Sequence, residues 1–325
     1  MQLDEFQHQF SNYLTAKIPC LFIIDFECNK CIVVALDEAK AHGIYFDIQG
    51  KTNYHNHIIT KTINLEDEPI SKDIFTKSFN KVKEYLDNGY TYLLNLTFPS
   101  QIQTSLSLKE IFQLSFAPYK LLYKDQFVVF SPECFIKIHS NEIFTFPMKG
   151  TIDASISNAE ALLLNNKKEE WEHNTIVDLL RNDLALIANN IELTKYRYID
   201  RIKTIKNEIL QTSSEIKGTL PTTWQTTFAK DIFKLLPAGS ISGAPKQKTI
   251  HIIQECEISE RGFYTGIFGI FDGKDIDSAV AIRFIEQKGD KQYFRSGGGI
   301  TSNSNIDEEY EELIQKIYIP KQSST

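Results

Sequence analysis

Two charged residues, Lys149 and Glu133, occur in stretches whose apolar character is typical of buried strands. Between them, "HSNE" predicts a tight turn centred on Ser140-Asn141, with an antiparallel strand on either side. Residues equidistant from such a turn face each other, so we expect Glu133 and Lys149 to be neighbours. They form either an ordinary cross-strand ion pair or a carboxyl and an amine held in one reactive pocket.

Two further segments with helical spacing each carry a Glu-x-x-Glu pair. Glu169 and Glu172 share one helix face, and so do Glu309 and Glu312. Acidic residues are common in the first turns of helices and on exposed faces, which is the simpler explanation. Two such pairs facing each other would instead form a hard-oxygen site for Mg²⁺. Spacing along the chain does not show whether they meet.

Two glycine-rich stretches and one arginine have the composition of an anion site. "GSISGAPK" precedes a helix expected to start near Pro245, and the N–H groups at such a start bind carboxylates. Glycines 297–299 are predicted to follow a strand. In "DSAVAIRFIE" the alternation predicts a strand that places Arg283 on one face with Ala279 and Ala281, leaving room for a carboxylate. Tight turns and a structural salt bridge are the simpler alternatives.

Composition excludes several classes of protein. The 325 residues are 42% hydrophobic, and the net charge of -7 comes from interspersed acids and bases, which argues against a nucleic-acid partner. No apolar run approaches the roughly 18 residues of a membrane span, and the polar N-terminus is no signal peptide. Five scattered cysteines predict reduced thiols and a cytoplasmic location. The single Cys28-x-x-Cys31 pair lacks the second pair that a structural zinc site needs.

The predicted elements favour an α+β fold. Strands occur in groups rather than in βαβ alternation, so we expect large antiparallel sheets. Helical patterns cover 71–89, 158–190, 226–236 and 246–257. The expected organisation is one catalytic unit over 1–325, with a short strand region at about 1–70 and a core at about 70–320.

Eight motifs occur along the chain, namely "SPE" (131–133), "PMKGT" (147–151), "EHNTIVDLLRNDL" (172–184), "GSISGAPK" (239–246), "RGFYTG" (261–266), "AIR" (281–283), "GGGI" (297–300) and "EYEELIQK" (309–316). Together they resemble the chorismate-utilising enzymes, which include anthranilate, aminodeoxychorismate, isochorismate and salicylate synthases. Their order and spacing match over about 70–320. The resemblance implies an anthranilate synthase-like α+β fold, with the antiparallel sheets packed as a sandwich and helices outside, chorismate as substrate and Mg²⁺ as cofactor.

The resemblance also implies which reaction is catalysed. Lys149 looks like the lysine of aminodeoxychorismate synthases, whereas anthranilate and salicylate synthases usually carry alanine there. Leu93 stands where enzymes that add water at C2 of chorismate have a lysine. The implied reaction is amination at C4 to 4-amino-4-deoxychorismate, on the way to para-aminobenzoate and folate, with ammonia from a separate glutamine amidotransferase subunit. An anthranilate synthase large subunit and a catalytically silent binding subunit are the alternatives.

Residue roles follow from the resemblance in the same way. Lys149 would attack C2, and Glu133 would protonate the departing C4 hydroxyl. Both roles need uncharged groups, which burial favours and a tight ion pair opposes. Glu172 and Glu312 would hold Mg²⁺, with Glu169 and Glu309 contributing directly or through water. The expected substrate-binding residues are Gly150, Thr151, Gln211, Tyr264, Arg283, Gly297, Gly298 and Lys316.

Overall fold

The structure is a computed structural model that describes residues 1–55, 64–203 and 208–320. Its helices are α1 Leu3–Ala16, α2 Lys72–Asp87, α3 Leu108–Leu114, α4 Ala159–Asn165, α5 Lys167–Ala185, α6 Phe228–Asp231, α7 Gly239–Ser242, α8 Lys246–Cys256 and α9 Ile306–Gln315. Its strands are β1 Cys20–Ile24, β2 Cys31–Ala35, β3 Ile44–Ile48, β4 Lys51–Thr52, β5 Glu66–Glu68, β6 Leu93–Gln103, β7 Tyr119–Tyr123, β8 Phe127–Ser131, β9 Cys134–His139, β10 Glu142–Thr145, β11 Met148–Asp153, β12 Asn189–Lys203, β13 Glu208–Thr219, β14 Gly243–Ala244, β15 Ile267–Phe271, β16 Ile276–Val280, β17 Phe284–Lys288 and β18 Lys291–Ile300.

The strands form two antiparallel sheets. The first has the order β11-β13-β10-β9-β16-β15-β1-β2, with β12 also paired to β13. The second has the order β14-β6-β18-β17-β8-β7-β3-β4, with β5 also paired to β6. The strand that carries Lys149 (β11) lies at one end of the first sheet, and the strand with the three glycines (β18) lies inside the second.

Alternation along β1 shows how the layers pack. Leu21 and Ile23 belong to a buried cluster with side chains of β3 and β7, while Cys20, Phe22 and Ile24 belong to a second core shared with α1. Because successive strand residues point to opposite faces and both faces of this sheet are covered, all five residues are buried. The predicted α+β sandwich with helices outside is therefore confirmed.

The helix expected over 158–190 is two helices. Asn166 separates them, because its side-chain oxygen accepts the N–H groups of Lys168 and Glu169 at 3.0 and 3.2 Å and so caps the start of α5. The helix expected over 226–236 is likewise broken into α6 and flanking 3-10 turns. The helix expected from 246 is present as α8, and that expected over 71–89 as α2.

Three other local predictions are wrong. The N-terminal region begins with α1, whose residues Phe6, Phe10 and Leu14 are buried on one face. The strand expected through Arg283 is two strands of different sheets, since β16 ends at residue 280 and β17 begins at 284. Arg283 has a φ of +54° in the bend between them. Glycines 297–299 lie within β18 rather than after it.

Among the described residues, no helix is long and apolar enough to cross a membrane.

Candidate active site

Lys149 and Glu133 come together by a different route from the expected hairpin. β9 and β10 do pair in the expected register around Ser140-Asn141. The chain then leaves β9, because Pro147 has no N–H to donate to the ladder and β11 pairs with β13. The expected ladder pairing between Glu133 and the start of β11 is therefore wrong. The Lys149 charge nevertheless reaches Glu133, since it acts to lower the pKa of that carboxyl.

Glu133 is a half-buried carboxyl held from two sides. Burial raises its pKa above the ordinary value, and a hydrogen bond from the Ser240 hydroxyl and the charges of Lys149 and Arg283 oppose the increase. Its backbone N–H donates to the Ser131 hydroxyl at 3.1 Å. A carboxyl with a raised pKa keeps its proton closer to neutral pH, which suits a general acid.

The amine of Lys149 lies between a carboxylate and a space bordered by glycine. Its Nζ is 3.8 Å from Glu172 Oε2, and the lysine side chain is 25% exposed. A Cβ on Gly299 would lie 3.5 Å from this Nζ and 3.2 Å from Leu93 Cδ1. The missing side chain of Gly299 thus leaves an approach to the amine between Lys149 and Leu93.

Other glycines mark where carboxylates approach the strands. A Cβ on Gly150 would lie 3.0 Å from Glu169 Oε2, and a Cβ on Gly298 would lie 3.2 Å from Glu309 Oε2 and 3.4 Å from Glu312 Oε1. Gly150 has a φ of +78° at an irregularity in β11, a conformation that favours glycine. Helix α5 thus directs Glu169 at Gly150, which follows Lys149, and helix α9 directs its Glu-x-x-Glu pair at Gly298, which precedes Gly299.

The four carboxylates influence one another. Burial raises the pKa of Glu169, and the charge of Glu172 raises it further, with a smaller increase from Glu312 on the other helix. Burial also raises the pKa of Glu309, against a 2.7 Å hydrogen bond from Ser304, and the charge of Glu312 adds to the increase. Carboxylates that repel one another in this way are stabilised by a cation.

This donor set matches the oxygen ligands that Mg²⁺ prefers. As the side chains stand in the described part of the chain, no three His, Cys, Asp or Glu residues come close enough together to hold a metal ion. Lysines take up the neighbouring positions, with Lys149 beside Glu172 and Lys316 Nζ 2.5 Å from Glu312 Oε1. The chemistry of the donors fits Mg²⁺, and rotation of these side chains would exchange lysine contacts for metal contacts.

Groups suited to binding carboxylates lie around the same space. Lys316 Nζ donates to the Gly297 carbonyl at 2.8 Å. The Arg283 guanidinium lies 5.2 Å from the ring centroid of Tyr318, and within the described residues it pairs with no carboxylate. Tyr264 is buried between the sheets, and burial raises its pKa to about 12. The Arg283 and Lys316 charges act on each other across the site.

Thr151 and Gln211 lie opposite each other in the β11–β13 ladder. Gln211 is half-buried and Thr151 is exposed. The neighbouring Thr212 hydroxyl donates to the Lys149 carbonyl, so β13 also holds the backbone of the lysine in place.

The sequence profile of a family described as "chorismate binding enzyme" matches residues 10–322. The chain belongs to the chorismate-binding enzymes. It is 53% identical to a protein of Haemophilus influenzae named "Uncharacterized PabA-like protein", over 98% of this chain and 97% of that protein. It is 29% identical to aminodeoxychorismate synthase component 1 of Bacillus subtilis, over 77% of this chain and 55% of that protein. The solved structure of anthranilate synthase component I from Streptococcus pneumoniae superposes with a TM-score of 0.65 at 25% identity, covering 79% of this chain and 59% of that chain.

Sequence reasoning missed two residues of this candidate site. Ser240 lies in "GSISGAPK", where the glycines drew attention and the hydroxyl did not, yet it donates to Glu133. Lys168 follows the cap of α5, and its charge acts on Glu169 and Glu309. The signal for Lys168 was its place beside the first Glu-x-x-Glu pair. No local signal connects Ser240 to Glu133, because 107 residues separate them.

Proposed function

We propose that this protein aminates chorismate at C4 and releases 4-amino-4-deoxychorismate. The observation that carries the proposal is the Lys149 amine, which faces the space left by Gly299 while its charge reaches Glu133. A nucleophile and a general acid directed at one space can remove a hydroxyl group from an unsaturated ring.

In the first half of the reaction, Lys149 Nζ attacks C2 of chorismate. Both ring double bonds shift, from C1=C2 and C5=C6 to C1=C6 and C4=C5, and the bond from C4 to its hydroxyl breaks. Glu133 donates its proton to the departing oxygen, which leaves as water. The pKa of Glu133, raised by burial, supports this role.

In the second half, ammonia attacks C4 and both double bonds shift back to C5=C6 and C1=C2. The bond between C2 and Lys149 breaks, its electron pair returns to the amine, and the Glu133 carboxylate accepts the extra proton of the new ammonium group. The sum is chorismate plus ammonia to 4-amino-4-deoxychorismate plus water.

Carboxylate binding positions the substrate for both halves. Glu172 and Glu312, with Glu169 and Glu309 directly or through water, would hold Mg²⁺, which neutralises the ring carboxylate when bound. Gly150, Thr151 and Lys316 would border that carboxylate. Tyr264, Arg283 and the Gly297 backbone would bind the enolpyruvyl carboxylate, with Gln211 and Gly298 completing the site.

Leu93 argues against the related hydration reaction. Its Cδ1 and the Lys149 amine lie on either side of the Gly299 space. An apolar methyl cannot activate water at C2. A lysine bonded to C2 also opposes anthranilate formation, which places nitrogen at that carbon.

Ammonia would come from a separate glutamine amidotransferase subunit or from solution. We expect residues 1–325 to act as one catalytic unit with such a partner in the cytoplasm. The name of the Haemophilus influenzae relative, with its reference to PabA, supports a connection with para-aminobenzoate formation.

The test is product analysis with chorismate, ammonium and Mg²⁺. We expect 4-amino-4-deoxychorismate by liquid chromatography and, without ammonium, a covalent adduct on Lys149 by mass spectrometry. Lys149→Ala abolishes both. Anthranilate fluorescence would support the anthranilate alternative, and no turnover of chorismate would support a binding subunit.

A further inference from the structure

Asn95 carries a buried polar atom that the proposed roles leave unused. Its side-chain Oδ1 is inaccessible to solvent and has no hydrogen-bond partner among the described residues. A buried carbonyl oxygen without a partner is costly and needs an explanation, and a catalytic role is one such explanation. We propose that Asn95 binds the attacking ammonia, an inference that rests on the proposed amination of chorismate.

The position of Asn95 relative to the nucleophile follows from strand pairing. Asn95 in β6 lies directly opposite Gly299 in β18, and partners in an antiparallel ladder direct their side chains to the same face. On that face, the Cβ that Gly299 lacks would lie 3.5 Å from Lys149 Nζ and 3.2 Å from Leu93 Cδ1. Leu93 is two residues before Asn95 and shares its face. The Asn95 amide is therefore directed toward the space beside the lysine amine.

Its position relative to the general acid follows from Arg261. The Arg261 guanidinium donates to the backbone carbonyl of Asn95 at 2.6 Å and to the backbone carbonyl of Ile241 at 2.9 Å, so these two segments lie side by side. Ser240, next to Ile241, donates to Glu133. Asn95 thus lies between the segment that supports Glu133 and the strand that borders Lys149.

The chemistry of the oxygen fits ammonia. Ammonia has three N–H donors and one lone pair, and the lone pair must stay available to attack C4. An acceptor that takes one N–H holds the molecule without occupying the lone pair. The new N–C bond at C4 forms as the C2–Nζ bond breaks, and the proton released passes to Glu133 as before. A bound ammonia next to Asn95 would lie beside both groups it reacts with.

Asn95→Leu tests the inference, because leucine keeps a similar volume and cannot accept a hydrogen bond. We expect the KM for ammonium to rise about tenfold, which corresponds to one lost hydrogen bond, while the KM for chorismate changes less than twofold. Formation of the Lys149 adduct without ammonium should keep its wild-type rate, since ammonia acts only afterwards. Asn95→Asp, which retains an acceptor oxygen, should recover most of the affinity for ammonium.

The outcomes separate this inference from the proposed function. An unchanged KM for ammonium in Asn95→Leu, in a preparation that aminates chorismate, would overturn the ammonia site alone. A slower adduct and a higher KM for chorismate would show instead that Asn95 positions the substrate, which also overturns it. If Asn95→Leu does not fold, the same comparison is made with Asn95→Ser and Asn95→Ala. Failure of the wild-type protein to aminate chorismate would remove the proposed function itself.

Discussion

The Lys149 amine lies 3.5 Å from the point where a side chain on Gly299 would begin. The lysine belongs to β11 of one sheet and the glycine to β18 of the other. The space beside the amine is therefore created where an edge of the first sheet meets a strand interior of the second. Its size depends on the absence of one carbon atom.

Adding that carbon in Gly299→Ala should lower kcat by about a hundredfold, because the methyl would fill the space beside the amine and displace bound chorismate from Lys149, and a displacement of about 1 Å can cost that much. Steady-state kinetics with chorismate and ammonium measure the effect. The new methyl would also press on Leu93, at 3.2 Å. The double variant Leu93→Ala with Gly299→Ala relieves this second contact. Recovery of activity in the double variant would show that packing, and not access to Lys149, limits the single variant.

Removing the Ser240 hydroxyl should shift the pH profile of kcat upward on its alkaline side. Activity requires protonated Glu133, so it falls as pH rises through the raised pKa of this carboxyl. The Ser240 hydrogen bond lowers that pKa. In Ser240→Ala the pKa of Glu133 is therefore higher, and the carboxyl keeps its proton to higher pH. Ser240→Thr retains the hydroxyl and should keep the wild-type profile. A downward shift in Ser240→Ala would contradict the assigned role of Glu133.

Glu309→Gln should weaken the response to Mg²⁺. Glu309 lies against the Gly298 position and feels the charge of Glu312. Loss of one carboxylate should raise the Mg²⁺ concentration for half-maximal activity about tenfold or more, as for other groups that support a metal. Glu311→Gln, on the exposed face of the same helix, is the matched control and should change it less than twofold. An equal rise in the half-maximal Mg²⁺ concentration in the two variants would mean that only the overall charge of the protein affects the response to Mg²⁺.

Arg261→Met should destabilise the fold. The Arg261 and Glu257 side chains are 1% and 4% exposed and form two hydrogen bonds, at 2.7 and 3.0 Å. Removal of the arginine leaves a buried charge without its partner, which costs about 3–5 kcal/mol in the free energy of unfolding. Urea unfolding measures this change in the free energy of unfolding. Arg201→Met removes an ion pair of an arginine that is 62% exposed and should cost less than about 1 kcal/mol. Similar losses of unfolding free energy in the two variants would show that burial of the Arg261–Glu257 pair adds nothing to stability.

Continuous apolar runs and grouped strands were enough to predict large antiparallel sheets, because a strand with both faces covered must be apolar throughout. The boundaries of the elements were less predictable. Asn166 divides the helix expected over 158–190 because its side chain competes for the N–H groups of the next turn. Arg283 ends a strand that looks continuous in sequence, because the chain passes there from one sheet to the other.

The sequence by itself determined the kinds of groups in this protein, namely one lysine, a set of glutamates and glycines in motifs whose order matches the chorismate-binding enzymes. It also determined the register of the β9–β10 hairpin, which depends on local turn geometry. Only the tertiary structure decided which of these groups share a space. Lys149 approaches Glu133 through β13 and the packing of two sheets, Ser240 reaches Glu133 from a helix 107 residues away, and Asn95 meets Gly299 across two strands. Such contacts arise from long-range strand pairing, which no local pattern of residues encodes.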